Sequence, residues 1–185
     1  MHFTELADDL VLLRPYRTTD VEAMYESTRE SVSEVGRWLP WCHAHYTHQE
    51  AEEWIASRAP AWESGAEYSF VIVERKTGRF VGGCALNQFD RERMRANLGY
   101  WMRTSACRHG FATAATRLLA RFGIMELGLQ RIEIVAALGN VASARVAIKA
   151  GAKEEGIARC RLRIRDVPHD AAVFSFVHAD LDRRL

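Results

Sequence analysis

The chain has 185 residues, and 25 Lys plus Arg against 24 Asp plus Glu leave a net charge of +1. Hydrophobic residues make up 48% and charged residues 26%, a balance that excludes wholesale disorder. A charge this close to zero also argues against a general nucleic-acid binder, which carries a clear basic excess.

The segment Met1–Asp9 carries Glu5, Asp8 and Asp9 and no apolar run, so no signal peptide is expected. Val11-Leu12-Leu13 before Arg14-Pro15 predicts a first strand. Thr18-Thr19-Asp20 offers a helix cap, with the helix over Val21 to Arg29. The irregular stretch Ser31 to His48 holds Trp38-Leu39-Pro40-Trp41. Cys42, His43, His45 and His48 in the same stretch could ligate a metal. Zinc needs about four ligands in fixed geometry, no second half is apparent, and a loop beside a cleft is the reading adopted.

Thr47 with Glu50 three residues on is a capping-box spacing that opens a helix from Gln49 to about Trp62. Tyr68 to Val73 and Phe80 to Leu86 predict a hairpin across Lys76-Thr77-Gly78. Asp90 to Arg95 reads as a charged loop and Leu98 to Met102 as a third strand. The period then changes. Phe111, Ala115, Leu118, Leu119, Phe122 and Met125 sit at helical spacing, giving a helix over about Gly110 to Leu127. A strand over Arg131 to Ala136 follows, then a helix holding Val141, Ala144 and Ile148 and closing at Gly151. Strands over about Gly156 to Ile164 and Ala171 to Val177 end the pattern. Arg159, Arg161, Arg163 and Arg165 alternate along the first of these, which predicts one basic face with Cys160, Leu162 and Ile164 turned to the core. That face is read as solvated, or as a wall for an acidic substrate.

Repeats and linkers are absent, so one mixed α/β domain over residues 1–185 is expected. Cys42, Cys84, Cys107 and Cys160 fall in no CxxC spacing, which suits a reduced cytoplasmic protein. The apolar runs fall short of the ~20 residues of a spanning helix.

Two junctions carry chemistry. Between the Leu98–Met102 strand and the long helix, the chain runs Arg103 to Thr113 through Arg108, His109 and Gly110. A strand, a tight loop and a helix start supply outward N–H groups and the positive end of a helix dipole, a plausible pyrophosphate cradle. The same stretch reads equally as an ordinary cap at Thr104 or Ser105. The second junction is Gly139-Asn140-Val141-Ala142-Ser143-Ala144-Arg145. Here Asn140 can cap a helix and Ser143 lies one turn in.

Together these junctions resemble the Gcn5-related N-acetyltransferases (GNAT), and more narrowly the bacterial ribosomal-protein serine/alanine N-terminal acetyltransferases. Cys107 to Ala112 stand at the six positions of the family's acetyl-CoA motif. Gly99-Tyr100-Trp101-Met102 matches the strand before it, Asn140-x-x-Ser143 with Gly151-Ala152 and Glu155-Gly156 matches the second half, and Trp38-Leu39-Pro40-Trp41 and His169-Asp170 with Phe174-Ser175 match the narrower branch.

The resemblance implies the GNAT fold, a mostly antiparallel sheet splayed between the Leu98 and Arg131 strands. It implies acetyl-CoA as cosubstrate and a primary amine as acceptor, most closely a protein N-terminus. No metal and no membrane are expected from the ligand spacing and the short apolar runs, and a homodimer is the assembly that relatives often form. Backbone groups of Tyr100, Trp101 and Met102 would pair with the pantetheine arm. The amides of Arg108, His109, Gly110, Phe111, Ala112 and Thr113 would hold the pyrophosphate. Asn140 and Arg145 would line the other side, and Ser143 would protonate the leaving thiolate. Trp38, Trp41 and Asp90 are candidates for the acceptor side. The chain departs from the family pattern at Cys107, which replaces an Arg or Gln. It departs at Ala147, where many relatives carry a tyrosine acid, and at Asn97 and Leu162, where relatives place a glutamate base. Asp90, Glu92, His45 or Asp170 could supply a base through the fold. A small-molecule amine as acceptor, or a non-catalytic CoA-binding module, are the competing functions.

Overall fold

The computed structural model describes residues 4–181. The first three residues of the acidic N-terminal segment therefore lie outside the described part. An eight-stranded sheet forms the centre. Its strands are β1 (Leu6–Ala7), β2 (Val11–Pro15), β3 (Tyr68–Glu74), β4 (Phe80–Asp90), β5 (Arg95–Met102), β6 (Arg131–Ala137), β7 (Lys153–Ile164) and β8 (Val167–Phe176). Their order across the sheet is β1-β2-β3-β4-β5-β6-β8-β7. Every pairing is antiparallel except β5 with β6.

That parallel pair is short. It joins Arg95 to Arg131, Ala96 to Ile132 and Asn97 to Glu133, and goes no further. From Leu98 onward the two strands splay, the opening expected from the family resemblance.

The helices α1 (Val21–Glu30), α2 (His48–Ala56), α3 (Arg58–Glu63), α4 (Phe111–Met125), α5 (Val141–Ala150) and α6 (His178–Leu181) flank this sheet. Strand alternation sends Phe70, Ile72, Leu86, Leu98, Ile132 and Ile134 to one face, where they meet Ala115, Leu119 and Phe122 of α4 and Ala147 of α5. Val71, Val73, Phe80 and Trp101 point to the other face, against Met24 of α1 and Ala51 and Ile55 of α2. Gly123 lets α4 approach closely, since a Cβ there would stand 2.6 Å from Ile132 Cδ1.

Several expectations change in detail. The helix expected from Gln49 to Trp62 is two helices, α2 and α3, meeting at Ser57. Pro60 lies in the first turn of α3, where a missing N–H costs nothing. The Thr47–Glu50 capping box forms as expected. Thr18–Asp20 is a 3-10 turn, and Asp20 does not cap α1. Its buried carboxylate instead takes both guanidinium nitrogens of Arg14 at 2.7 Å and the Arg17 N–H at 2.8 Å. The Asp90–Arg95 loop shrinks to a turn, because β4 runs on to Asp90 and pairs it with Arg95.

The largest departure is in β7. Its register jumps between Ala158↔Ala171 and Leu162↔His169, so Arg159, Cys160 and Arg161 bulge opposite Asp170 alone. Asp170 stabilises the bulge by accepting the Cys160 N–H at 2.8 Å. Cys160, expected in the core, has φ 50° and is exposed. The arginines beside it do not form one free basic stripe. Arg161 faces Glu133 at 3.9 Å, Arg163 pairs with Asp166 at 3.0 Å, and Arg165 donates to the Gly36 carbonyl at 2.6 Å.

Candidate active site

The splay leaves one edge of β5 without a strand beside it. The Arg103 N–H bonds the Val81 carbonyl of β4 at 2.9 Å. In an antiparallel ladder the bonded residues alternate, so Trp101 and Gly99 also turn their backbone groups to β4. Tyr100 and Met102 consequently turn theirs into the gap. An extended ligand could pair with them as an added strand.

At the wide end of the gap lies the expected cradle. The 3-10 turn Thr104–Ala106 leads to Arg108 and Gly110, whose φ values of 68° and 87° are left-handed. Such turns aim successive N–H groups into one concavity. Gly110 caps α4, and the first helical bond runs from Ala114 N–H to Gly110 C=O at 3.0 Å. The N–H groups of Phe111, Ala112 and Thr113 precede that bond and emerge at the positive helix end. Arg108 and His109 are exposed beside them, with His109 stacked on Phe111 at 5.6 Å. The loop suits a phosphate group, and the cap expected at Thr104 or Ser105 is not formed.

The cradle is braced by α1. Glu30 accepts from Arg103 Nε at 3.0 Å and from the Ser105 N–H at 2.6 Å. The Ser31 hydroxyl accepts the Thr104 N–H at 3.0 Å and donates to the Ser27 carbonyl at 2.7 Å. Burial raises the Glu30 carboxyl, but the hydrogen bonds from Arg103 and Ser105 outweigh it and hold the group down at about 2.

Across the gap, Asn140 caps α5 by accepting the Ser143 N–H at 3.1 Å. Tyr100 reaches over from β5, its hydroxyl donating to the Ser143 carbonyl at 2.8 Å and lying 3.0 Å from Ser143 Oγ. Burial pushes the Tyr100 phenol up to about 12. Sequence reasoning singled out both residues but not their contact, which joins positions 43 apart in the chain. Ala147, on the next turn of α5, is fully buried. Arg145 is exposed on the same helix.

The opposite face of the opening is aromatic. Trp41 meets Trp101 edge-on at 5.3 Å, and a Cβ on Gly139 would lie 3.0 Å from the Trp38 ring. Trp38 thus abuts the loop that ends in Asn140. Arg37 covers the Trp38 ring at 4.8 Å. The turn at Arg165 closes this side through its bond to Gly36.

Of the carboxylates singled out in the sequence, Asp90 and Asp170 are engaged by arginines or by backbone, and Asp90 pairs with Arg95 at the closed end of the β5–β6 ladder, away from the gap. Asp90 is bonded by the Arg93 N–H at 3.0 Å and by Arg93 and Arg95 side chains at 3.1 Å, which lower its pKa. Asp170 closes the β7 bulge, and Glu92 and His45 are exposed. The cysteine–histidine cluster disperses. Cys42 is buried against the Thr28 carbonyl, His43 pairs with Glu50, and His48 pairs with Glu22 and stacks on Tyr25. No group of three or more metal-capable side chains occurs among the described residues.

Sequence reasoning missed Glu133. It is the register partner of Asn97 at the last pair before the splay. Alternation along β6 turns it away from buried Ile132 and Ile134, toward the open face. Arg131, Arg95 and Arg161 approach it at 2.9, 3.7 and 3.9 Å. Only the strand register reveals that position.

Comparison with known proteins gives a consistent picture. A family model for the acetyltransferase (GNAT) domain matches residues 11–153. The chain is 27% identical over 181 residues to YdaF of Bacillus subtilis, provisionally named a ribosomal N-acetyltransferase, with 95% of each chain covered. A Vibrio cholerae structure provisionally named a ribosomal-protein-serine acetyltransferase is 30% identical, with a TM-score of 0.83 over 94% of this chain and 97% of that one. RimL, a ribosomal L7/L12 α-N-protein acetyltransferase solved with coenzyme A, shares the fold at a TM-score of 0.85 and 17% identity, covering 97% of this chain and 100% of that one. No helix among the described residues is long and apolar enough to cross a membrane. The splayed sheet, the braced cradle and these matches together make the chain a member of the GNAT family, an acetyl-CoA-dependent N-acetyltransferase.

Proposed function

We propose that the chain moves the acetyl group to the α-amine at a protein N-terminus, with a cytoplasmic ribosomal protein as the substrate class, by direct attack of the amine. The observation that carries the choice of amine is the state of the carboxylate beside the splay. Glu133 stands at the last paired position before the gap and is crowded by three guanidiniums. Its carboxylate is engaged in those ion pairs and is not a free group aimed at an incoming ammonium. An α-amine has a pKa of ~8 and a lysine ~10.4, so deprotonation at pH 7 costs about 1.4 kcal/mol for the first and about 4.6 kcal/mol for the second. The site suits the amine that loses its proton easily. The names carried by the Bacillus and Vibrio relatives point to the same substrate class.

Acetyl-CoA fits the residues present on two observations, the unpaired edge of β5 and the left-handed cradle before α4. It supplies an activated acetyl thioester. The backbone of Tyr100 and Met102 would hold the pantetheine arm, with Trp101 backing it from the acceptor face. The amides from Arg108 to Thr113 would hold the pyrophosphate, and Asn140 and Arg145 would flank it. Ser143 is the acid for the departing thiolate, and a backbone N–H of β5 faces the developing oxyanion. Trp38 and Trp41 wall the acceptor entrance.

Thiol release from acetyl-CoA against a panel of amines tests this, with the products mapped by mass spectrometry. Peptides with free Ser, Ala or Thr N-termini are expected to be acetylated at the α-amine. N-blocked peptides carrying lysine are expected to stay unmodified. Turnover confined to small free amines would overturn the protein-substrate reading, and binding without any turnover would favour a CoA-binding module.

A further inference from the structure

Buried Ala96 and Leu98 of β5 face α4, so alternation sends Asn97, Gly99 and Trp101 to the other face. That is the face on which Trp41 meets Trp101. The row therefore reads carboxamide, no side chain, indole. A Cβ built on Gly99 would meet only Asn97 Nδ2 within 4 Å, at 3.9 Å. The cross-strand neighbour of Gly99 on β4 is Ala85, another small residue. The result is a notch between Asn97 and Trp101, beside the unpaired edge of β5.

Nothing in the fold asks for glycine at this position. Gly82, Gly83 and Gly123 are each required by packing, since a Cβ would stand 2.2 Å from the Trp101 carbonyl, 2.2 Å from the Tyr16 hydroxyl and 2.6 Å from Ile132 Cδ1. Gly110 and Gly151 have left-handed φ. Gly99 shows neither a clash nor a positive φ, and glycine inside a strand weakens it. A strand glycine without a packing reason marks a place where another molecule comes close to the backbone.

The notch has one polar wall. Asn97 Nδ2 donates to Asn87 Oδ1 at 2.9 Å, which leaves Asn97 Oδ1 with no hydrogen bond among the described residues. Asn97 is the last residue of β5 to pair with β6, so it stands at the foot of the splay. The opposite wall is the Trp101 ring, packed against Trp41 at 5.3 Å and Phe80 at 6.0 Å. Glu133, beside Asn97, is held by arginines. A neutral primary amine fits these walls. It offers N–H groups to an amide oxygen and keeps its lone pair free, whereas an ammonium would gain no counter-charge.

We infer that the notch over Gly99 seats the acceptor's amine nitrogen and the carbon that bears it, with Asn97 Oδ1 accepting an amine N–H, and that the missing side chain at position 99 sets how bulky that carbon can be. The inference rests on the acceptor entering past Trp38 and Trp41, and it deepens that reading by naming the residues that receive the amine.

The test compares Gly99→Ala, Asn97→Leu and Asn97→Asp with the wild type on an alanine-terminated peptide. The readouts are kcat/KM, the peptide Kd by calorimetry in the presence of CoA, the acetyl-CoA Kd and the melting temperature. An alanine at position 99 fits the folded protein, so the melting temperature of Gly99→Ala should hold or rise. Its kcat/KM is expected to fall about tenfold or more and its peptide Kd to rise, while the acetyl-CoA Kd moves less than about twofold. Asn97→Leu, similar in size but without an accepting oxygen, is expected to lose about tenfold in kcat/KM. Asn97→Asp restores an accepting oxygen and should stay within about threefold of the wild type. Full activity in Gly99→Ala, a matching loss of acetyl-CoA affinity, or a loss of activity that only tracks a lower melting temperature would overturn the notch. An Asn97→Leu variant as active as the wild type would overturn the role given to Asn97. If the wild type acts only on small free amines, the protein-substrate reading fails instead, and the same variants assayed with that amine still decide whether the notch receives it.

Discussion

The sheet has two halves that treat their side chains differently. The half from β2 to β5 is covered on both faces, and Phe70, Val71, Ile72 and Val81 in it are fully buried. The half formed by β6, β8 and β7 is covered on one face, and its outer strand is largely exposed, with Ile157 at 62%. The first half buries its strands from both sides, and the second leaves its outer strand to solvent around a bulge three residues long. The site forms where they part, so each half supplies one wall. The covered half contributes the β5 edge and the braced cradle, and the open half contributes Glu133 and the turn at Arg165.

The difference can be broken most sharply at Gly82. A Cβ there would sit 2.2 Å from the Trp101 carbonyl, a backbone atom that cannot step aside. Gly82→Ala is expected to destabilise by about 3 kcal/mol or to prevent folding, as read from urea unfolding. A smaller effect is expected at the brace between α1 and the cradle. Glu30→Gln removes the charge that holds Arg103 and Ser105, and acetyl-CoA affinity should fall about fivefold in titration. The same variant has a signature in acid. A carboxyl lowered from 4.5 to about 2 contributes stability that is present above 4.5 and lost as pH falls toward 2. The wild-type protein should lose stability across that window, and Glu30→Gln should lose less of it, as measured by melting temperature against pH. The smallest effect belongs to the open half. Arg163 and Asp166 are 74% and 87% exposed, and Arg163→Ala is expected to change stability by less than about 0.5 kcal/mol. A large loss there would remove the contrast.

Periodicity and caps located every strand from β2 to β8 and the helices α1, α4 and α5, and read α2 and α3 as one helix, because those signals are local. The Thr47–Glu50 box, the Asn140 cap and the left-handed Gly151 could each be read from a few residues. What escaped was set by distant partners. Cys160 alternates correctly on paper, and its exposure follows from Asp170 on another strand. Asp20 has the residue type of a cap, but Arg14 claims its carboxylate. Glu133 sits in an unremarkable strand pattern and becomes part of the site through the three-residue parallel register with β5. The cradle was legible because a strand, a turn and a helix start follow one another in the chain. The Tyr100–Ser143 contact was hidden because it spans the gap between the halves.

The bond from Arg165 to the Gly36 carbonyl links residues 129 apart, against 43 for Tyr100 and Ser143. Loop closure grows with the logarithm of that separation, so bringing these two ends together costs about 1 kcal/mol more in chain entropy. The wall beside Trp38 is thus tied to the far end of the sheet at a larger entropic cost than the contact that spans the gap, so closing the chain takes up more of the Arg165 bond than of the Tyr100 bond.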